Sequence, residues 1–513
     1  MRKPTKGIFI ILFENFNFME NTIFTKSESA NSNYLATICR IGETHPIEGA
    51  DRIVSTTVNG FTMIVSKEMK EGDIVVYFPV ETAICEKYLS ANNLYEIGQF
   101  EKNSNVEEVK KILAESEALP DDDTEGKLEC LNKAKSMCGF FNKYGRVRIL
   151  KLKGKYSEGF IAHTDTLVKF DESLKDINWE DYVGTSFDTV NGEKICEKFV
   201  PVLGNRERLN GPSGQSRWRQ TMKKLRAFKS IIPGEFCFHY ETVKLQSEMD
   251  KLSPDDNVTI TLKFDGASAI LSNVKCKRLE LTIWEKIMKF FGIAVRDIVY
   301  ENIYSSRRVI KNEDINPEAS TRGFYDKDVW TCCNDVFGKY IPKGMTVYGE
   351  IIGYEDGTER FIQKNHDYGC EKGKWKFMPY RITTDLAEGG KKEWDVLDVD
   401  KWTHDLVAEH PELSDYVQFL VVLYHGRFGD LYPDIDTKQH WHENVLERMK
   451  NDKEHFGMEE DEPLCKNKVP REGIVIRIDG DKFARAWKLK TMRHTAHEGK
   501  MNDSGEANIE DIS

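Results

Sequence analysis

The chain has 513 residues, 40% hydrophobic and 11% aromatic, which supports a buried core divided over two or three domains and excludes a largely disordered polymer. A formal net charge of -12 excludes a protein that coats nucleic acid over its whole surface, so any nucleic-acid contact has to come from a local basic patch. Eleven cysteines run from Cys39 to Cys465 without a CxxC pair, which fits reduced thiols in the cytoplasm and no disulfide framework.

The opening MRKPTKGIFIILF has basic residues followed by an apolar run from Ile8 to Phe13, the outline of a signal peptide. The run is too short for a signal core, Glu14 ends it and no small-x-small cleavage site follows, so residues 1–33 are read as a disordered extension, with Met19 as an alternative start. No apolar stretch of about 18 residues occurs, so no membrane partner is expected. From Tyr34 to about Leu167, the runs YLATICRI, DRIVSTTVNGFTMIV and GDIVVYFPV are short, β-branched and separated by Gly, Asn and Asp, which predicts a small antiparallel β domain. Residues 101–135 interrupt it with charged sequence of helical period and loop-like ends. The β pattern resumes in GRVRILKLKGKYSEGFIAH, where Arg146 and Arg148 share one face and Lys151 and Lys153 share one after a bulge at Ile149 and Leu150, a basic stripe. Residues 168–230 read as a basic linker, whose Arg206, Arg208, Arg217, Arg219, Lys223, Lys224, Arg226 and Lys229 suit either a solvated hinge or contact with an RNA backbone. Residues 231–513 mix strands and helices in an α+β manner, with the strongest strands at VTITLKF, TVYGEIIGY and EGIVIRID.

Within VTITLKFDG, Val258, Ile260 and Leu262 alternate with Thr259, Thr261 and Lys263, so the strand buries the first set and turns Lys263 to the opposite face before the turn at Asp265 and Gly266. An amine partly desolvated among other cations attacks as its neutral form, which makes Lys263 a candidate nucleophile. Taken alone, a KxDG match is a weak signal, because most surface lysines carry no chemistry. Downstream, Glu350 lies on a strand and Glu472 begins another, while Lys488 and Lys490, two apart in WKLK, share a strand face. A nucleophile, two carboxylates for a divalent metal or a ribose, and two cations for phosphates are the parts that nucleotidyl transfer needs. Singly, each has a plain structural explanation: a surface ion pair for Glu350, a solvent-facing basic strand for Lys488 and Lys490.

The ordered series resembles the covalent nucleotidyltransferase superfamily of ATP-dependent RNA ligases, DNA ligases and mRNA capping enzymes. Lys263-Phe264-Asp265-Gly266 looks like its motif I, Ser306-Arg307 like motif Ia, Tyr348-Gly349-Glu350 like motif III, Glu472-Gly473 like motif IV and Lys488-Leu489-Lys490 like motif V. The resemblance implies that Lys263 becomes AMP-linked, and that Asp265, Gly266, Arg307, Glu350, Lys488 and Lys490 bind the nucleotide. It also implies that Glu350 and Glu472 hold Mg2+ or Mn2+, and that Phe377 stacks on adenine as the aromatic of motif IIIa. Met378 and Pro379 depart from the family pattern there.

DNA ligases and capping enzymes carry an OB domain after motif V, and here only 22 residues follow Thr491. A β domain that precedes the catalytic one is similar to the Deinococcus-type RNA ligases, as are CGFFNKYGRVRILKLKG, the FHYET run with His239 and Thr242, IQKNHDYGC and NKVPREGIVIRID. The resemblance covers most of the chain from Tyr34 onward. It implies an N-terminal antiparallel OB-like β-barrel at 34–167, an adenylyltransferase domain at 231–513, and ATP-dependent sealing of a 3′-hydroxyl to a 5′-phosphate in a nicked RNA duplex during RNA repair; the oligomeric state is not set by the sequence, and a monomer is the expectation. The departures are the 101–135 insert, the long basic linker and the stretch between motifs III and IV. The alternatives are a DNA ligase, a capping guanylyltransferase, or a catalytically silent RNA-binding protein of the same fold. His440-Trp441-His442 reads as a surface cluster ahead of a zinc site, and Asp121-Asp122-Asp123 as a solvated loop ahead of a calcium site.

Overall fold

In the N-terminal part the strand Ile74–Pro79 is buried on both faces, which explains its unbroken apolar sequence. Val75 and Tyr77 enter a core with Cys39, Val58, Phe61 and Met63, whereas Val76 and Phe78 enter a second with Ile38, Tyr88 and Phe187. The period of two along a strand sets this division. The computed structural model describes residues 23–201, 227–316, 328–386, 388–481 and 485–503. Gly159–His163, Ile74–Pro79, Ala36–Arg40 and Ser186–Phe187 form one antiparallel sheet in that order, and Thr44–Pro46, Ile53–Val58 and Phe61–Ser66 form a second across the shared core. The expected antiparallel OB-like module is present, but its two ladders stay separate and do not close into one barrel among the described residues.

The 101–135 insert is an antiparallel pair of helices, Val106–Glu117 and Thr124–Ser136, packed through Val109, Ile112 and Ala134. Asp123 caps the second helix by accepting the Gly126 N–H at 2.9 Å, so the acidic run is a helix start.

Three expectations change. The extension assigned to 1–33 gives way from residue 23, because Phe24 is buried and Phe24–Thr25 pairs with Thr189–Val190; residues 1–22 lie outside the described residues. The linker assigned to 168–230 is folded against the N-terminal sheets through Lys198, since Ser186–Phe187 pairs with Ala36–Arg40 and Cys196–Lys198 with Thr82–Ile84. The cations Arg206 to Arg226 lie outside the described residues, and Lys229 forms ion pairs with Glu301 at 3.0 Å and Asp314 at 3.6 Å. Finally, Arg146 does not belong to a surface stripe: it is buried between Glu81 at 2.6 Å and Asp503 at 2.9 Å. Lys151, Lys153 and Lys155 remain exposed on the hairpin Leu150–Leu152 and Lys155–Ser157.

The C-terminal part holds two sheets. One runs Val243–Lys244, Ala486–Lys490, Gly473–Ile478, Asn257–Lys263 and Val422–Arg427, antiparallel except for the parallel pairing of Val243–Lys244. Val258, Ile260, Ile474, Ile476, Trp487 and Leu489 pack its outer face under the helix Trp441–Asn451. The other sheet joins Ala267–Arg278, Ile298–Ser305, Met345–Gly353 and Trp375–Asp385, with the helices Val329–Phe337 and Val396–Glu409 over its apolar face. The edge strand Val243–Lys244 of the first sheet meets the N-terminal module, where Asn33 Nδ2 donates to the Thr242 carbonyl at 3.0 Å and Asn33 Oδ1 accepts the Lys244 N–H at 2.8 Å. No helix among the described residues is long and apolar enough to cross a membrane.

Candidate functional site

Strand register assembles the site. Lys263 is the Cα partner of Gly473, and Gly473 is the partner of Lys490, so three strands bring the lysine of KFDG, the EG pair and the second lysine of WKLK side by side. Lys263 Nζ and Lys490 Nζ lie 2.8 Å and 3.1 Å from the same atom, Glu472 Oε1. Burial of Glu472 acts to raise its pKa, and Lys263 and Lys490 outweigh it and hold the carboxyl below its ordinary value. Lys490 also pairs with Glu498 at 3.1 Å. Gly473 has φ +147, and a Cβ there would meet the Leu489 carbonyl oxygen at 2.1 Å, so the strand start beside Lys263 requires glycine.

The turn Phe264-Asp265-Gly266 carries the chain from the first sheet into the second, where Ser268 is paired with Glu350. A Cβ on Gly266 would stand 2.7 Å from the Ile351 carbonyl oxygen, so this glycine allows the turn to close on the Glu350 strand. Gly266 therefore acts by close approach. Glu350 faces the cavity that holds Lys263, Arg307, Lys488 and Lys490, a space of about 1540 Å³ that is partly open to solvent. Arg307 reaches Glu241 Oε1 at 3.2 Å. Burial raises the Glu241 pKa and the cations Lys488, Arg307 and Lys198 hold it below its ordinary value. Lys488 is buried, and that desolvation, opposed by Glu241 and assisted by Lys490, Lys263 and Arg307, brings its pKa down to about 7.

Seven predicted site residues, Lys263, Arg307, Glu350, Glu472, Lys488, Lys490 and the turn glycine Gly266, thus meet at or against one cavity. Two do not line it. Phe377 pairs with Ile351, one position past Glu350, and the period of two points it into the core against Phe337. It is 1% exposed, so it is corrected from an adenine platform to a core residue; Met378 and Tyr380 line the cavity in its place. Asp265 turns away from the main cavity into a smaller one, where its Oδ2 lies 3.0 Å from His494 Nε2.

Sequence reading gave several cavity residues no site role, His239 of the FHYET run among them. His239 lines the wall beside Tyr380, with ring centroids 5.6 Å apart, and its buried Nδ1 has no hydrogen-bond partner among the described residues. Burial, then Arg381 and Arg307, keep this imidazole well below its ordinary pKa and therefore neutral. Arg477 shares a strand face with Gly473 and Val475, so the alternation in EGIVIRID contained the sign of it. Lys198 and Lys244 come from elements remote in sequence, and no local pattern marked them.

For a divalent cation, the test is whether a carboxylate oxygen has no protein partner. Glu472 Oε2 is buried without a hydrogen-bond partner among the described residues, and Glu350 opens on the cavity lined by Lys263 and Lys490, with which Glu472 pairs, a donor set suited to a hard cation. The weaker motifs have structural roles: His442 Nε2 donates to the Leu252 carbonyl at 2.8 Å, and Trp441 is buried at the start of its helix.

No curated protein matches the chain. Among solved structures, it is similar to a point variant of the Naegleria gruberi RNA ligase with ATP and Mn, at TM-score 0.48 and 17% identity over 90% of this chain and 98% of that one. A variant of that ligase with AMP and Mn gives TM-score 0.47 and 17% identity over 90% and 98% of the two chains. The same ligase with PPi gives TM-score 0.45 and 18% identity over 92% and 99%. Residues 35–106 match a family model described as an OB-fold domain, and with the antiparallel sheets found there the N-terminal β module is identified as an OB-fold domain.

Proposed function

We propose that this protein is an ATP-dependent RNA ligase of the covalent nucleotidyltransferase superfamily, Deinococcus-type, with Lys263 as the residue that takes AMP. What carries the reading is the convergence of Lys263 and Lys490 within 3.1 Å of one Glu472 carboxylate oxygen, at a cavity that Arg307, Glu350 and Lys488 also line. Lysine and arginine side chains from six separate strands or turns suit a polyphosphate, and the apolar wall of Met378, Leu420 and Val396 beside Tyr380 and His239 suits a purine. On this reading the OB-fold module precedes an adenylyltransferase domain that begins near residue 231.

In the proposed first step the Lys263 amine attacks the α-phosphorus of ATP, so that a P–N bond forms and the P–O bond to pyrophosphate breaks. Lys488, Lys490 and Arg307 hold the phosphates in line, which is most of what such a transfer requires. Glu350 and Glu472 would hold Mg2+ or Mn2+, which when bound supplies charge neutralisation on the polyphosphate. The AMP then passes to a 5′-phosphate of RNA, the P–N bond breaking as a 5′–5′ phosphoanhydride forms. A 3′-hydroxyl finally displaces AMP and leaves a phosphodiester. A nicked duplex, a role in RNA repair and a cytoplasmic monomer complete the reading.

The test is a denaturing gel after incubation with labelled ATP or GTP and Mg2+ or Mn2+. The expected result is a covalent band from ATP that Lys263→Ala removes, with transfer to nicked duplexes carrying RNA on the 3′-hydroxyl side. A band from GTP alone points to capping, sealing only of DNA strands to a DNA ligase, and no band from folded protein to a silent RNA-binding chain.

A further inference from the structure

Behind the candidate site, the turn after Lys263 carries a second cluster of ligand-type atoms. Asp265, His366 and His494 each offer one, all within 4.8 Å of one another, and the residues are 9%, 2% and 1% exposed. His494 Nε2 stands 3.0 Å and His366 Nε2 4.0 Å from the same Asp265 oxygen, Oδ2. The orientation of His366 is specific. Its Nδ1 lies 3.0 Å from the Lys364 carbonyl oxygen and donates to it, which leaves Nε2 as the lone-pair atom aimed at the cluster. That buried Nε2 has no hydrogen-bond partner among the described residues, and neither has His497 Nε2, whose ring lies 6.5 Å from that of His366. These groups wall a small cavity with Gln363 and Met501. A buried imidazole nitrogen fixed by a carbonyl on its other side and facing a carboxylate is the outer-shell arrangement found around metal-bound histidine.

We propose that Asp265, His366 and His494 bind a divalent cation of the zinc class, with His497 or a water as the fourth ligand. Two imidazoles and one carboxylate suit this borderline metal, whereas the carboxylate-lined cavity around Glu350 and Glu472 suits a hard cation. The ion is structural and separate from nucleotide chemistry. It ties three segments distant in sequence: the turn two residues beyond Lys263, the loop that holds His366, and the helix Met492–Asp503. The same loop already grips that turn, for the Asp265 N–H donates to Tyr368 Oη at 2.8 Å and Gln363 Nε2 donates to the Gly266 carbonyl at 2.9 Å. Because it needs no nucleotide, the site is present whether or not Lys263 becomes adenylylated.

The experiment uses the untagged full chain, stripped with chelator and titrated by calorimetry with ZnCl2, and with CoCl2 as an absorbing substitute, in the absence of nucleotide. One equivalent should bind, raise the thermal midpoint by several degrees and give the intense visible bands of low-coordinate Co2+. His366→Gln and His494→Gln should each weaken that equivalent on the order of 100-fold, as loss of a ligand to a closed site does. Glu350→Gln should keep it. Circular dichroism on each variant separates loss of the ligand from loss of the fold, and the wild-type titration carries the test where a variant fails to fold. The proposal fails if folded wild-type protein binds neither ion stoichiometrically, the result expected of a buried Asp265–His494 ion pair alone. It fails equally if both histidine variants bind as wild type, or if His440→Gln rather than these removes the equivalent.

Discussion

Lys450 Nζ lies 3.1 Å from Glu158 Oε2, with the two side chains 5% and 10% exposed, and so joins the helix Trp441–Asn451 to the OB-fold module. Lys450 also donates to the Gly60 carbonyl at 2.8 Å, and Glu158 accepts the Thr62 N–H at 2.9 Å, so both charges are embedded in a network across the junction.

Removing one partner leaves the other charged and buried, which costs about 3–5 kcal/mol. Lys450→Met should therefore lower stability in urea denaturation by about that amount. The double variant Lys450→Met with Glu158→Gln should lose less than the sum of the two single changes, because neither charge is then stranded. Additive losses would show that the two side chains act independently.

Phe377 and His239 should separate packing from binding. Phe377→Ala empties a core position beside Phe337 and should cost about 3–5 kcal/mol of stability, with little change in the ATP concentration needed for half-maximal adenylylation. His239→Ala, on the cavity wall, should leave stability nearly intact and raise that concentration several-fold. The opposite pattern would return Phe377 to the nucleotide.

Lys488 makes stability depend on pH. Its folded pKa of about 7 lies below the ordinary lysine value of about 10.4, so between these values the unfolded chain binds more protons than the native one. Stability from this group therefore rises from about pH 7 toward pH 10 and is flat below pH 7. Lys488→Met should abolish that rise in thermal melts at a series of pH values. Pyrophosphate binding should show the reverse trend, weakening above about pH 7 as the ammonium is lost, and Lys488→Arg should remove the dependence. A wild-type stability curve that falls between pH 7 and 9 while that of Lys488→Met does not would contradict the assignment.

The basic residues of the OB-fold module divide into two kinds. Lys151→Ala with Lys153→Ala should weaken binding to a nicked RNA duplex and reduce the log-log salt slope by about one per lost phosphate contact. Arg146→Met should leave the salt slope unchanged and lower the melting temperature, since Arg146 is buried between Glu81 and Asp503. Filter binding at several salt concentrations, together with melting curves, checks both.

The local character of the chain was legible from the sequence because it rests on short-range rules. Alternation of period two placed Lys263 opposite Val258 and Ile260, and spacing of two put Lys488 and Lys490 on one face, as the structure has them, although Leu262, expected with the first set, also lines the cavity. The adenine role of Phe377 came from the resemblance, not from alternation, and the register overturned it: the ladder shifts between Tyr348 and Gly349, and only the pairing of Glu350 with Met378 shows which neighbour faces the cavity. Arg146 failed for another reason. Its partner Asp503 lies 357 positions away, and no pattern within a strand encodes a contact over that distance. What the sequence determined by itself was the set of residue types and the faces they occupy, since backbone geometry repeats every two or 3.6 residues whatever surrounds it. Only the tertiary structure decided which faces meet, gathering Lys198, His239 and Lys244 around Lys263 and turning Asp265 toward His366 and His494, because those contacts depend on how whole sheets pack.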